Sequence, residues 1–300
     1  MTAISQVVVG VDDGSAAAHA LEWTANVLAP SATIHAVNAV SPGVELAVAV
    51  VQYDSAPIVA RRRRHLENDW TAAARATGAS IVCDVIEDTP ARALMRAATR
   101  SGAEMIVVGL KGRRLPHTLT GVVRDVLAHA THPVVVVPDG TGPAPTGAVM
   151  VDVGHAEHVR RALSWAAEFA VERGLALDLV RAGPRRRLFS LDGLVERIAY
   201  SIDRDVVKEW AEQDLAELAG QIQQSTDEEL AVSWSVAGDG RHPRVVEPGA
   251  DTALLVLDAH ADKDAHVASW VHDTIKHAPC PVAVFGTPLH PLVGLPPIPG

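Results

Sequence analysis

The 300-residue sequence predicts an α/β protein built of two tandem domains, each a doubly wound five-stranded parallel sheet. Three observations carry this expectation. Short Val-rich runs alternate with Ala/Leu/Arg segments of helical period throughout, the pattern of βαβ units around a sheet covered on both faces. The length favours two cores at roughly 100 to 200 residues each. Finally, two motifs of the first half recur in the second.

In the first half the strands fall at residues 6–12, 33–40, 80–86, 105–109 and 133–137, all rich in Val, Ile or Ala. Helical stretches lie between them at 16–28, 57–77, 89–100 and 121–130. Five strands and four helices complete a Rossmann-like unit, so the first domain spans 1–138. Residues 139–147 are too dense in Pro and Gly for regular structure and read as a linker. The second domain spans 148–286, and 287–300 is a Pro-rich tail. Within the second domain, Val206, Val207, Trp210, Leu215 and Leu218 share a stripe of the charged stretch 203–222, which predicts a packed helix.

The repeat is specific. Val7-Val8-Val9-Gly10-Val11 followed by Ala20-Leu21-Glu22-Trp23 recurs as Val149-Met150-Val151-Asp152-Val153 followed by Ala162-Leu163-Ser164-Trp165. Asp125 to His129 with Pro133 and Val134 is echoed by Asp273 to His277 with Pro281 and Val282. The echoed positions are mainly apolar or small, so the halves share a core, with Trp23 and Trp165 as packing residues.

Lys and Arg number 26 against 36 Asp and Glu, a formal charge of −10, which argues against bulk attraction to nucleic acid or anionic lipid. The basic runs Arg61 to Arg64 and Arg185 to Arg187 read as solvated surface, because neither is interleaved with aromatics. No stretch reaches the ~18 apolar residues of a membrane span, and no leader is recognisable, so the expected location is the cytoplasm. Cys83 and Cys280 are too few for a disulfide framework and read as buried, reduced thiols. The alternating Asp258, His260, Asp262, Asp264 and His266 lack the glycine and the later Glu of a calcium loop, so no metal site is expected. P-loop, nucleophile-elbow and HExxH signatures are absent, which argues against an enzyme.

Ligands of open parallel sheets sit beyond the carboxyl ends of the strands. Strand one ends in Val11-Asp12-Asp13-Gly14-Ser15, a carboxylate followed by a cap residue at a helix start. Strand four ends in Gly109-Leu110-Lys111-Gly112-Arg113-Arg114 and re-enters a helix at Gly121. Glycines let a backbone approach an anion, and a helix start offers free N–H groups and a positive dipole end. Lys111, Arg113 and Arg114 add charge of the sign a polyphosphate requires.

With V-G-V-D at its start, the segment Val85-Ile86-Glu87-Asp88-Thr89-Pro90, V-V-G-x-x-G and a closing H-P-V-V-V-V strand, the chain resembles the universal stress protein family in its tandem form. The resemblance implies a nucleotide site in the first domain. Gly109, Gly112 and Gly121 match the family's phosphate loop, Asp12 its ribose- or adenine-contacting Asp, and Ala39 the backbone that meets adenine. Arg113 is a candidate replacement for phosphate-binding hydroxyls. Eight residues separate Gly112 from Gly121 where the family has nine, and Val122-Val123-Arg124 stand where hydroxyl residues are usual. Two lost hydrogen bonds, at about 1.5 to 3 kcal/mol each, would weaken ATP by one to several orders of magnitude. In the second domain Gly154 replaces the Asp, and Asp258-Ala259-His260-Ala261-Asp262 the glycine loop.

The expected protein is a stress-response regulator that binds an adenine nucleotide, ATP with magnesium above all, in its first domain and works through conformation or assembly. Slow ATP hydrolysis would be incidental. The resemblance also implies self-association through the final strands, 133–137 and 281–285, which pair either the two halves or two chains, giving a monomer or a dimer. The competing reading is a scaffold in which both pockets are vestigial.

Overall fold

A computed structural model describes residues 4–28, 31–41, 55–111, 121–142, 147–153, 156–182, 204–226, 230–237, 248–249, 251–259 and 269–286. These form two compact units, Met1–Pro145 with Ala259–Gly300, and Thr146–Asp258.

The first unit contains β1 (Gln6–Gly10), α1 (Ser15–Val27), β2 (Thr33–Val40), α2 (Ala56–His65), α3 (Ala72–Ala76), β3 (Ser80–Glu87), α4 (Pro90–Ser101), β4 (Met105–Leu110), α5 (Gly121–His129) and β5 (Val134–Pro138). These strands run parallel in the order β3-β2-β1-β4-β5. Winding reverses between β1 and β4, which leaves a crevice at their carboxyl ends. The continuous apolar runs behave as a sheet covered on both faces requires: Met105 to Val108 and Val134 to Val137 are all buried.

Register shows which helix covers which face. Val9 pairs with Val107, so Gly10 lies level with Val108, and Gly109 has the opposite parity. Gly10 faces Leu94 of α4, whereas Gly109 faces Ala16 of α1. α4 starts after Thr89 with Pro90 in its first turn and stops at Gly102, whose φ of 66° is the left-handed conformation glycine adopts most easily. Its inner face is small (Ala91, Ala93, Ala97 and Ala98 beside Leu94 and Met95), which lets it lie close on β1 and β2.

Two expectations shift in detail. β1 ends at Gly10, not at residue 12: Val11 N–H still donates to Val37 O at 2.9 Å, but Asp12 already turns toward α1. The stretch 57–77 is not one regular helix, because Leu66–Trp70 forms a π-helical turn between α2 and α3. Buried Thr71 closes that turn by donating from Oγ1 to Leu66 O at 2.8 Å.

The second unit contains β6 (Ala148–Asp152), α6 (Ala156–Arg173), β7 (Ala176–Ala182), α7 (Arg204–Ser225), β8 (Val232–Ala237) and β9 (Thr252–Ala259). Its strands are parallel in the order β9-β6-β7-β8, the order β4-β1-β2-β3 has in the first unit. α7 corrects the predicted stripe. Leu215, Ala219 and Ile222 are buried, while Trp210 is 53% exposed, because 210 and 215 are about 140° apart around a helix. Side chains of 206 and 207 lie outside the described residues.

α8 (Ser269–His277) and β10 (Val282–Gly286) return to the first unit. β10 pairs antiparallel with β5, placing Val282 opposite Val136, Ala283 opposite Val135 and Val284 opposite Val134. The expected pairing of the final strands is therefore made within one chain. Of the two thiols, Cys280 is buried, but Cys83 is only half-buried and takes a contact from Arg75 Nη2 at 3.3 Å. The Pro-rich tail lies outside the described residues.

Candidate functional site

The carboxyl ends of β1, β2, β4 and β5 are stitched together by short polar contacts. After β1, the Gly14 N–H donates to Asp12 Oδ1 at 2.8 Å, a local turn that fixes the carboxylate just before α1. Asp12 is exposed, and no described group bonds its Oδ2. α1 has no side-chain cap at Gly14, so its first turn keeps unfilled N–H groups and the positive end of its dipole.

At the end of β2, buried Asn38 donates from Nδ2 to Val11 O at 2.7 Å, while its Oδ1 is buried without a partner among the described residues. The ladder between β1 and β2 stops at Gly10–Val37, so among the described residues half-buried Ala39 pairs only with Ile86 of β3. At the end of β4, a β-carbon on Gly109 would run into the carbonyl of Ala16 and stand 2.8 Å from Ala17 N. Gly109 is thus a packing requirement: only glycine lets α1 seat on the strand. Gly121 opens α5 and has no atom within 4 Å of a would-be β-carbon among the described residues. Gly112 and Arg113 lie outside the described residues, as does the rest of the loop to Thr120.

A further cluster was not anticipated. Asp139, just beyond β5, donates its N–H to Leu110 O at 2.9 Å and places its carboxylate on α1. Ser15 Oγ donates to its Oδ2 at 3.1 Å, and His19 Nδ1 lies 2.7 Å from its Oδ1. The Gly140 N–H points at the same His19 nitrogen from 3.2 Å, so a proton on Nδ1 selects the carboxylate and its absence selects the amide. Asp139 looks like linker in the sequence; the available signal was its position directly after a strand of valines. An Asn inside the apolar run 33–40 was the corresponding signal for Asn38.

In the V-x-E-x-x-P segment, Asp88 is the working carboxylate. It accepts from Thr89 N–H at 2.8 Å and from Arg92 and Arg96 at 3.1 Å each. Burial pushes its carboxyl up, but the Thr89 amide and the two guanidiniums outweigh this and hold it below the ordinary range. Asp88 therefore starts α4 and is not offered to a ligand. No described group of three His, Cys, Asp or Glu side chains could hold a metal ion, and no described helix is long and apolar enough to cross a membrane.

The reversal of winding between β1 and β4 defines a doubly wound α/β fold, a class in which ligands generally sit beyond the carboxyl ends of the strands. Residues 4–138 match the model of the universal stress protein family. A universal stress protein from Archaeoglobus fulgidus DSM 4304 shares the fold at a TM-score of 0.62 and 14% identity, covering 93% of this chain and 97% of the other. A Pseudomonas aeruginosa UCBPP-PA14 protein assigned to the same family aligns at a TM-score of 0.54 and 15% identity, over 95% and 94% of the two chains. A third, from Pseudomonas aeruginosa PAO1, aligns at 0.53 and 15% over 95% and 93%. No curated protein matches the chain in sequence.

Proposed function

We propose that the universal stress domain binds an adenine nucleotide, ATP in the first place, beyond the carboxyl ends of β1, β2 and β4. The carrying observation is the Asp12 turn, an exposed carboxylate locked at Oδ1 by Gly14 and open at Oδ2 beside an uncapped helix start. In this reading Oδ2 accepts a ribose hydroxyl or an adenine N–H. The unpaired edge of Ala39 meets the base, and the amides about Gly109, Gly112 and Gly121, with Arg113, meet the phosphates. Magnesium would enter with ATP on its phosphates.

The output is a change of conformation or assembly in stress response, with no turnover required. Gly154 in place of the Asp, and acidic residues in place of the glycine loop, leave the second unit without these groups, so one nucleotide per chain is the proposed stoichiometry. Self-association of chains would alter with occupancy.

The test is thermal unfolding with ATP and magnesium, ADP, AMP, cyclic AMP and GTP, on the full chain and on Asp12→Ala. A ligand at about 100 times its dissociation constant stabilises by roughly 2.7 kcal/mol, a shift of several degrees. Adenine-selective shifts that Asp12→Ala removes would support the reading. A folded protein that responds to none of these ligands is the scaffold with vestigial pockets instead.

A further inference from the structure

We propose that α2 and the π turn after it form a docking site for single-stranded nucleic acid, separate from the nucleotide crevice. A crossover helix ordinarily draws its stability from an apolar face laid on the sheet. α2 buries none of its side chains; the anchors begin only at Leu66, Thr71 and Ala74. Its second half holds Arg61 to Arg64 in succession and then His65. Arg61 and Arg64 are like charges three apart on one helix, an arrangement that opposes the helix carrying it.

Among the described residues, little answers that charge. Arg63 reaches Glu67 at 3.9 Å with both side chains nearly half-exposed, and among the described residues Arg61, Arg62 and Arg64 have no ion pair. Arg61, Arg63 and Arg64 are exposed. The region is a cationic patch on a chain of formal charge −10, and at physiological ionic strength charges beyond about 8 Å are largely screened from it.

The second observation is aromatic. The sequence shows no aromatic residue among these arginines, but the π turn brings one alongside. Trp70 lies with the Arg62 guanidinium 5.8 Å from its ring centroid. The His65 imidazole stacks on it at 5.8 Å and 20° between planes. In an unbroken α-helix positions 62 and 70 would differ by about 80° around the axis, and such π turns are frequent at functional sites. Trp70 is half-buried and holds the stack, whereas His65 is exposed, its Nδ1 tied to Asp69 at 2.7 Å. Guanidiniums for phosphates beside stacked rings for bases are the combination by which single strands are bound without sequence preference. An acidic peptide or an anionic bilayer supplies the charge but no planar bases.

The experiment is fluorescence anisotropy of a short labelled oligothymidylate or oligouridylate with the full chain, Arg61→Glu/Arg64→Glu and His65→Ala, from about 50 to about 200 mM salt. Binding by the wild type, with about tenfold or greater loss in the arginine variant, supports the site. The salt slope of that variant should be shallower by about 1.4, for two lost phosphate contacts at ~0.7 each. His65→Ala should weaken binding severalfold with its slope unchanged. Neither variant removes a buried side chain, so unchanged melting curves verify the fold. No wild-type binding at about 50 mM salt overturns the proposal. So does an arginine variant that binds like wild type, or polyglutamate or anionic vesicles competing as well as the oligonucleotide while His65→Ala has no effect.

Discussion

Gly109 and Ala16 touch backbone to backbone: the α-carbon of the glycine abuts the Ala16 carbonyl so closely that no side chain fits between them. The first glycine of the loop after β4 therefore seats α1, and with it the turn that carries Asp12. A glycine that resembles an anion cradle in sequence is here the spacer that fixes the opposite wall of the crevice.

Gly109→Ala is accordingly expected to destabilise the fold by about 1–3 kcal/mol, as overpacking against backbone does. Gly121→Ala meets no described atom and should stay within about 0.5 kcal/mol of wild type. Thermal or urea unfolding of the two variants compares them directly. Equal stability of Gly109→Ala and wild type would show that α1 can lift off β4 at no cost.

How much of this was legible in the sequence depends on the residue. Continuous valine runs such as 134–137 mark buried parallel strands almost to the residue, because nothing else tolerates apolar side chains on both faces. The ends of elements are set by partners instead: Asp12 leaves β1 because Gly14 offers its amide. In the sequence Trp210 shares an apolar stripe with Val206, Val207, Leu215 and Leu218, yet the inner face of α7 is defined by Leu215, Ala219 and Ile222. Cys83 is only half-buried because β3 is the edge strand, where Arg75 reaches its sulfur. In the crevice, Asp12 was legible from the loop after a strand. Asn38, His19 and Asp139 were not, since their meeting depends on strand order and helix docking, which local pattern does not encode.

Stability should fall on mild acidification, and two histidines account for the sign. Burial lowers the pKa of His272; Asp273 opposes this, while Lys276 and Arg124 add to it. Its Nε2 is buried with no hydrogen-bond partner among the described residues. His35 is lowered in the same way, chiefly by burial, with Asp84 opposing and Arg100 assisting. A group with a depressed folded pKa binds its proton more readily when unfolded, so its contribution is complete above the unfolded value of about 6.5. The contribution is lost as pH falls from there toward the folded pKa. The double variant His35→Gln/His272→Gln should flatten the decline of Tm between about pH 7 and 5. Asp88, lowered in its turn, acts in a separate window below about pH 4, and the variant should leave that limb unchanged. A wild-type Tm that does not change between neutrality and about pH 5 would contradict this assignment.

The pairing of β10 on β5 makes the last prediction. Val134 to Val137 are at most 2% exposed, and β10 covers their outer backbone edge through Val282, Ala283 and Val284. A chain ending at Ala278 would leave four consecutive valines on an open strand edge, whose unpaired N–H and C=O groups are a template for another strand. Truncation is expected to leave the helical circular dichroism of the first unit largely intact but to shift the protein to dimers or aggregates in light scattering. Replacing Ala283 by Pro removes a backbone donor and should act in the same direction, more weakly. A truncated chain that stays monomeric and soluble would mean that β5 is closed by something other than β10. Concentration-dependent recovery of a discrete dimer would instead show that the edge selects a second copy of itself, with the apolar side chains setting the register.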